Sequence, residues 1–341
     1  MLKKRLVISC YVTTSLKTGV GRYLVDCIEH ELNKGNSELT LLISKKLWEE
    51  LDVSLTSKVK RIDLGVTEQN RFLSRIHYYW KQWRFQNESK NCRDYDELWI
   101  PNTVPIFKGK LATKVTIHDL AEFDTKTYGF WNGLVRKLFV YSIVKNATLI
   151  SVVSEFTKQR LLIHTGVNED KIVIEKPLFS YLKRFKSSNK EIDFQPKTYF
   201  LYVGRFSKNK NITILLNVYE LARKINVRLF PILLIGPNSK ESELVKRELK
   251  TKHLLSDFHF KHSVNDDELA NYYKHAKAFI YPSTYEGYGL PPQEALNMGT
   301  SLILARIPAL IENYSGKGVF FKEDSEEELL TILLTHCKEL N

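Results

Sequence analysis

Cysteine is scarce in this chain. The four residues, Cys10, Cys27, Cys92 and Cys337, are scattered and form no C-x-x-C pair. That spacing argues against a zinc site or a disulfide framework and suits a reduced, cytosolic compartment. Long apolar runs are also lacking. The longest apolar region, residues 138–153, is interrupted by Lys145 and Asn146, so no transmembrane helix is expected. The N-terminal MLKKRLVISCYV has the basic start of a signal peptide. Its apolar run of about seven residues is at the low limit for such a core and no convincing cleavage site follows, so it is expected to be the first buried strand. No repeat and no low-complexity tract is present, which excludes a solenoid or a disordered protein.

Acidic residues are outnumbered. There are 39 Asp+Glu against 51 Lys+Arg, a formal +12. Residues 1–180 hold 28 basic and 20 acidic residues, and 181–341 hold 23 and 19, so most of the excess lies in the first half. This bias permits an anionic partner, whether nucleic acid, phosphorylated substrate or membrane surface, and does not choose among them.

What is present is ample core material: 341 residues, 43% hydrophobic and 12% aromatic, enough for two α/β domains. Apolar runs at residues 6–12, 39–44, 58–64, 114–123 and 149–154 read as strands, and helical patterns fall between them (23–33, 72–85, 135–145, 155–164). From Lys176 to Lys197 all periodicity is lost among Ser, Asn, Lys and Pro. The expected organisation is therefore a Rossmann-like domain over 1–180, a linker over 181–197 and a second Rossmann-like domain over 198–341. The last helix, from Asp324, is a candidate to pack back on the first domain.

The chain is organised around YPSTYEGYGLPPQEALNMG, Tyr281 to Gly299. A strand, KAFIY, ends at Pro282. A polar turn with Gly287, Tyr288 and Gly289 follows, and a helix opens at Leu290 with proline in its first turn, where φ is preset and the amides have no intrahelical partner. A helix start after such a turn favours anionic ligands. Glu286 and Glu294, with seven residues between them, are expected to bracket one small cavity. On pattern alone a structural strand–turn–helix is as good a reading. The whole string, however, resembles the Glu-x7-Glu signature of the retaining GT-B glycosyltransferases called group 1 or family 4.

That resemblance implies two Rossmann-like domains facing across a cleft, and further strings fit it. T-I-H-D-L ends a strand at His118, which by resemblance contacts the donor sugar, as does Glu286. Glu294 would hold the ribose. The G-R-x4-K spacing places Arg205 and Lys210 on the pyrophosphate, where guanidinium and ammonium suit a diphosphate. Gly19 and Gly21 lie in a loop similar to the family's glycine-rich N-terminal loop, with Thr18 where a glycine is usual. Ser154-Glu155-Phe156-Thr157 resembles its S-E-F-S turn. The stretch around Val264 resembles another family segment near the nucleotide base, but His262 stands where Gly is usual.

Three features remain. Asp94-Tyr95-Asp96 has the D-x-D form of a metal site in a different fold and is discounted, so no metal and no cofactor are expected. Phe72 to Phe85 combines aromatic and basic residues. Phe72, Ile76, Tyr79 or Trp80, and Trp83 recur at helical spacing, either packing inward or facing a membrane interface. The likeness is greatest to bacterial mannosyltransferases of surface-polysaccharide assembly. It implies hexosyl transfer with retention from GDP-mannose, or next a UDP-sugar, to a glycan or lipid-linked acceptor. The expected setting is the cytoplasm or the inner face of the cell membrane. Rival readings are a basic nucleic-acid-binding α/β protein, which lacks a matching motif, and a nucleotide-sugar epimerase or phosphorylase of the same fold.

Overall fold

The protein is described by a computed structural model covering residues 3–338 except 12, 14, 17, 66–70 and 186–191, together with the side chains of those residues apart from 71–73, 75 and 184. It divides into two compact units, Met1–Tyr181 and Leu182–Asn341.

Each unit is built on a parallel sheet. In the first, β1 (Lys4–Ser9), β2 (Ser37–Leu42), β3 (Lys60–Ile62), β4 (Glu97–Ile100), β5 (Ala112–Ile117), β6 (Leu149–Val152) and β7 (Ile172–Ile174) take the order β3-β2-β1-β4-β5-β6-β7. In the second, β8 (Phe200–Val203), β9 (Ile232–Ile235), β10 (Phe258–Lys261), β11 (Ala278–Tyr281), β12 (Ser301–Ala305) and β13 (Val319–Phe321) take the order β10-β9-β8-β11-β12-β13. Strands covered on both faces read as continuous apolar runs. Leu6, Val7 and Ile8 in β1 and Phe200, Leu201 and Tyr202 in β8 are buried accordingly. Strand order reverses between β1 and β4 in the first sheet and between β8 and β11 in the second. Such reversals open a crevice at the carboxyl ends of the central strands.

Several strands are shorter than the apolar runs that announced them; beyond β6 the run continues into the buried Val153 and Ser154. The helices Lys45–Glu50 and Val53–Thr56 and the short β7 were not anticipated, being too brief to show a period. The final helix, Glu326–Lys338, packs on the helix Ile212–Lys224 of its own unit, where Asn217 Nδ2 donates to Glu326 Oε1 at 2.6 Å.

Two expectations meet their surroundings here. In the helix Arg71–Asn87 the inward face is Tyr78, Gln82, Phe85 and Gln86. Ile76, Trp80 and Trp83 are exposed, so the aromatic stripe read from spacing is the outward one where the structure describes it; the side chain of Phe72 lies outside the described residues. The D-x-D pair is divided in use: Asp96 is engaged by Arg5, whose amide and guanidinium donate at 2.8 and 2.7 Å. The Arg5 guanidinium and amide hold the Asp96 carboxyl below its ordinary range.

The chain leaves the first unit through an anchored turn. Asp26, buried on the helix Gly19–Lys34, accepts the amides of Leu178, Phe179 and Ser180 at 2.5, 2.8 and 2.6 Å. This holds Phe179 at φ 57°, a region unfavourable for a bulky side chain. Asp26→Ala strands buried donors and should cost about 3 kcal/mol of stability. Urea unfolding followed by circular dichroism checks it; an unchanged midpoint would exclude this anchor as a stabilising element.

Candidate active site

In the second unit the candidate side chains converge at the strand reversal. β8 runs into Gly204 and Arg205 and then a 3-10 turn, Lys208–Lys210; its neighbour β11 runs into the turn 282–289. The two exit loops are tied together, Thr284 N donating to Asn209 O at 2.9 Å and Asn209 Nδ2 to Tyr285 O at 3.4 Å. Within them Lys210 Nζ donates to the Tyr281 hydroxyl at 3.1 Å and forms an ion pair with Glu286 Oε1. Both partners are largely buried, their side chains 15% and 12% exposed. Arg205 is exposed on the same loop, and its guanidinium makes no hydrogen bond or ion pair among the described residues.

The helix Leu290–Asn297 starts from Gly289 at φ 91°, a conformation that glycine alone adopts readily. A Cβ there would lie 2.7 Å from Leu310 Cδ2. The Gly289 carbonyl accepts from the Tyr314 hydroxyl at 2.5 Å, and that of Tyr288 from Asn313 Nδ2 at 3.4 Å, so the helix Pro308–Tyr314 sets the turn. Gly287 is buried within it and Pro291 and Pro292 fill the first helical turn. Glu294 is 2% exposed and accepts from the Tyr273 hydroxyl at 2.8 Å, which fastens this helix to the helix Asp266–His275. The two carboxylates thus have different partners but a common neighbourhood. Burial raises the Tyr281 hydroxyl pKa well above its ordinary value, and Glu286 and Glu294 both add to the rise.

The exits of β8, β9 and β10 lie close together. A Cβ on Gly236 would sit 2.1 Å from the Gly204 carbonyl, so glycine is required by backbone approach. The Gly236 carbonyl meets His262 Nδ1 at 3.1 Å. A carbonyl only accepts, so Nδ1 carries a proton, and the other ring nitrogen is Nε2. That nitrogen is covered, with no hydrogen-bond partner among the described residues. Val264 is half-buried just before Asn265, which caps the helix Asp266–His275 by accepting from Glu268 N at 2.9 Å.

In the first unit His118 follows β5. Its Nε2 lies 3.0 Å from the Pro101 carbonyl at the exit of β4, and Tyr23 meets the ring edge-on at 4.7 Å. The same logic puts the proton on Nε2 and a lone pair on Nδ1. Burial pushes the imidazole below its ordinary value, against the opposing pull of the Pro101 carbonyl and Asp119. Gly19 opens the helix Gly19–Lys34, and Thr18 caps it by accepting from Gly21 N at 3.1 Å. Gly21 is a packing requirement, since a Cβ would lie 2.3 Å from the Ser15 carbonyl.

The residues read from the sequence therefore lie at the second unit's strand reversal, and their aromatic supports were not among them. Tyr281 closes the strand that the glutamate motif follows, and its hydroxyl holds Lys210. Tyr273 holds Glu294. Both were visible only as apolar strand and helix positions.

Residues 183–334 match the family model described as "Glycosyl transferases group 1". The chain is 26% identical to the O-antigen chain mannosyltransferase B of Escherichia coli over 60% of its length and 55% of the relative's. It is likewise 26% identical to the O-antigen chain mannosyltransferase RfbU of Salmonella typhimurium, over 81% of this chain and 71% of that one. It thus spans about half the length of the first relative. Among solved structures, the sucrose-phosphate synthase of Thermosynechococcus elongatus superposes with a TM-score of 0.71 at 16% identity, covering 98% of this chain and 89% of that one. Residues 183–334 are thus similar to the group 1 glycosyltransferases, and the two parallel α/β units of the chain have the GT-B fold.

Proposed function

We propose that this chain transfers a hexosyl group from a nucleoside diphosphate sugar to a glycan or lipid-linked oligosaccharide with retention of configuration, in the assembly of a bacterial surface polysaccharide. The observation that carries the reading is the placement of Lys210, Glu286 and Arg205, whose guanidinium is unpaired among the described residues, on two tied loops at the strand reversal of a region that matches the group 1 family. GDP-mannose is the first choice of donor, because relatives in two bacteria are named as O-antigen mannosyltransferases; a UDP-sugar is next. The setting proposed is the cytoplasm or the inner face of the cell membrane.

The chemistry follows from the charges. Breaking the bond between the anomeric carbon and the diphosphate leaves negative charge on the leaving oxygen, and preorganised cations stabilise it most in a site with little water. Arg205 and Lys210 are assigned to that diphosphate, with the first turn of the helix at Leu290 adding its amides. The acceptor hydroxyl forms the new bond on the same face and its proton passes to the departing phosphate oxygen. Glu286 and His118 accept hydrogen bonds from donor-sugar hydroxyls, Glu294 holds the ribose, and Gly19 and Gly21 line the approach to phosphate. Tyr288 and Val264 complete the donor contacts. No metal takes part.

Three measurements test this. Nucleoside diphosphate release with GDP-, UDP- and dTDP-sugars, beside thermal shift with the same donors, identifies the substrate; no release and no shift with any of them would reject the transfer reading. Arg205→Ala should lower turnover by about two to three decades, equivalent to about 3 kcal/mol of transition-state stabilisation, without a change in fold, since its exposed guanidinium has no partner among the described residues. Lys210→Ala should do the same, and its circular dichroism must be compared because it strands a largely buried Glu286. Near-full activity in either variant would remove the diphosphate assignment. Activity should also survive EDTA; loss restored by manganese or magnesium would overturn the metal-free step.

A pH profile tests His118. Its depressed pKa keeps the ring neutral, with Nδ1 accepting, at and above neutral pH. The rate should therefore hold through pH 7 and fall on acidification below the ordinary value of 6.5. The unfolded chain binds the proton first as pH drops, so this group's contribution to stability is present above 6.5 and is lost as pH falls through the depressed value. His118→Gln should be slower and lack that acid limb; an unchanged limb would assign it to another group.

A further inference from the structure

The helix Phe130–Asn146 presents an apolar face to solvent. Phe130 and Trp131 are 78% and 74% exposed, and Leu134, Leu138 and Tyr141 continue the stripe at helical spacing. Soluble chains seldom leave so long an apolar face uncovered. Beside it lies the helix Arg71–Asn87 with its own outward stripe of Ile76, Trp80 and Trp83. The two touch where Tyr79 meets Phe139 edge-on, ring centroids 6.3 Å apart. A loop joins their carboxyl-terminal ends: Ile106 N donates to Ser142 Oγ at 3.1 Å and Leu111 N to the Gln86 carbonyl at 3.3 Å. That loop exposes Phe107, Lys108 and Lys110.

Charge chooses the occupant. The two helices hold seven Lys and Arg residues and no Asp or Glu, in a chain with 39 acidic residues among 341. Neighbouring carboxylates offset part of this: Glu88 pairs with Arg84 and the buried Glu122 with Arg136. Exposed Lys126, Lys145, Lys108 and Lys110 leave the surface cationic. A second copy of the same face would bring like charges together. Aliphatic Leu134 and Leu138 offer nothing for nucleobases to stack on. An aromatic and aliphatic stripe flanked by basic residues matches the boundary of an anionic bilayer, with the rings at headgroup depth.

We propose that these two helices and the 106–111 loop form one docking surface for anionic lipid, which seats the first unit on a membrane. The inference deepens the membrane-side setting proposed above by naming its surface. Vesicle binding measured without any sugar nucleotide keeps the failure of either reading distinguishable.

The full chain should co-sediment with phosphatidylglycerol vesicles at low salt, release as salt rises, and leave phosphatidylcholine vesicles largely unbound. Phe130→Ser with Trp131→Ser should weaken binding about ten-fold or more. Lys81→Gln, Lys126→Gln and Lys145→Gln should each weaken it about five-fold. Because Phe130, Trp131, Lys126 and Lys145 are exposed and Lys81 only half-buried, thermal midpoints and donor-induced thermal shifts should not move. Absence of binding at low salt would overturn the proposal. So would binding indifferent to lipid charge and to these substitutions. A dimer in sedimentation velocity that Phe130→Ser with Trp131→Ser disperses, without vesicle binding by the parent chain, would make this a self-association face instead. Loss of sugar transfer with vesicle binding intact would count against the enzymatic reading alone.

Discussion

The ion pair between Lys210 and Glu286 is the constraint on which the second unit's site depends. The two residues come from loops that leave adjacent central strands, and both are largely withdrawn from water. Taking two charges out of water is expensive, and attraction repays it only when the remaining donors and acceptors are satisfied. The Tyr281 hydroxyl serves that purpose for Lys210. A pair of this kind also fixes what the site can do. On the assignment proposed above, a diphosphate would have to compete with Glu286 for the lysine, and a sugar hydroxyl with the lysine for Glu286. A ligand carrying both groups offers each partner a replacement at once. A free phosphate would satisfy the lysine and strand the glutamate. Under that proposal the pairing would favour a donor whose sugar and diphosphate are joined over either fragment alone.

Around that pair, backbone approach rather than side-chain chemistry sets the geometry. Gly236 lets the exit of β9 come against the Gly204 carbonyl, and Gly289 takes a positive φ under Leu310. Larger residues would push the loops apart or rotate the helix at Leu290. Glu294 then pins that helix from beneath through Tyr273. The start of the helix is held on both sides, and preorganised amides stabilise developing charge without reorganising as it appears.

Much of this was legible in the sequence, and the reasons are specific. The two parallel sheets announce themselves because strands buried on both faces must be apolar throughout. The strand–turn–helix at 278–297 was readable because Gly289, Pro291 and Pro292 are residue types that the backbone there demands. The partners of the charged residues were not readable. Nothing in the spacing says that Asp26 will collect three amides from residues 152 to 154 positions later, or that Tyr281 will hold Lys210. Long-range pairing of this sort is a property of topology. Gly21 was read toward phosphate, yet the backbone of Ser15 and Leu16 already requires it to lack a side chain.

The helix Arg71–Asn87 shows where pattern reading fails in principle. Its sequence carries two stripes at helical spacing, one of Ile76, Trp80 and Trp83 and one of Tyr78, Gln82, Phe85 and Gln86. Hydrophobicity favours burying the first. The structure buries the second, and much of its polar surface finds partners inside: Ser9 Oγ and the Tyr78 hydroxyl are 2.7 Å apart, and Gln86 Nε2 donates to Thr113 Oγ1 at 3.1 Å, while Gln86 Oε1 is covered with no partner among the described residues. A buried polar group that is hydrogen-bonded costs little, and a tryptophan can stay outside if something else covers it. Periodicity reveals that a helix has two faces. Which face turns inward is decided by partners elsewhere in the chain, not by hydrophobic spacing alone.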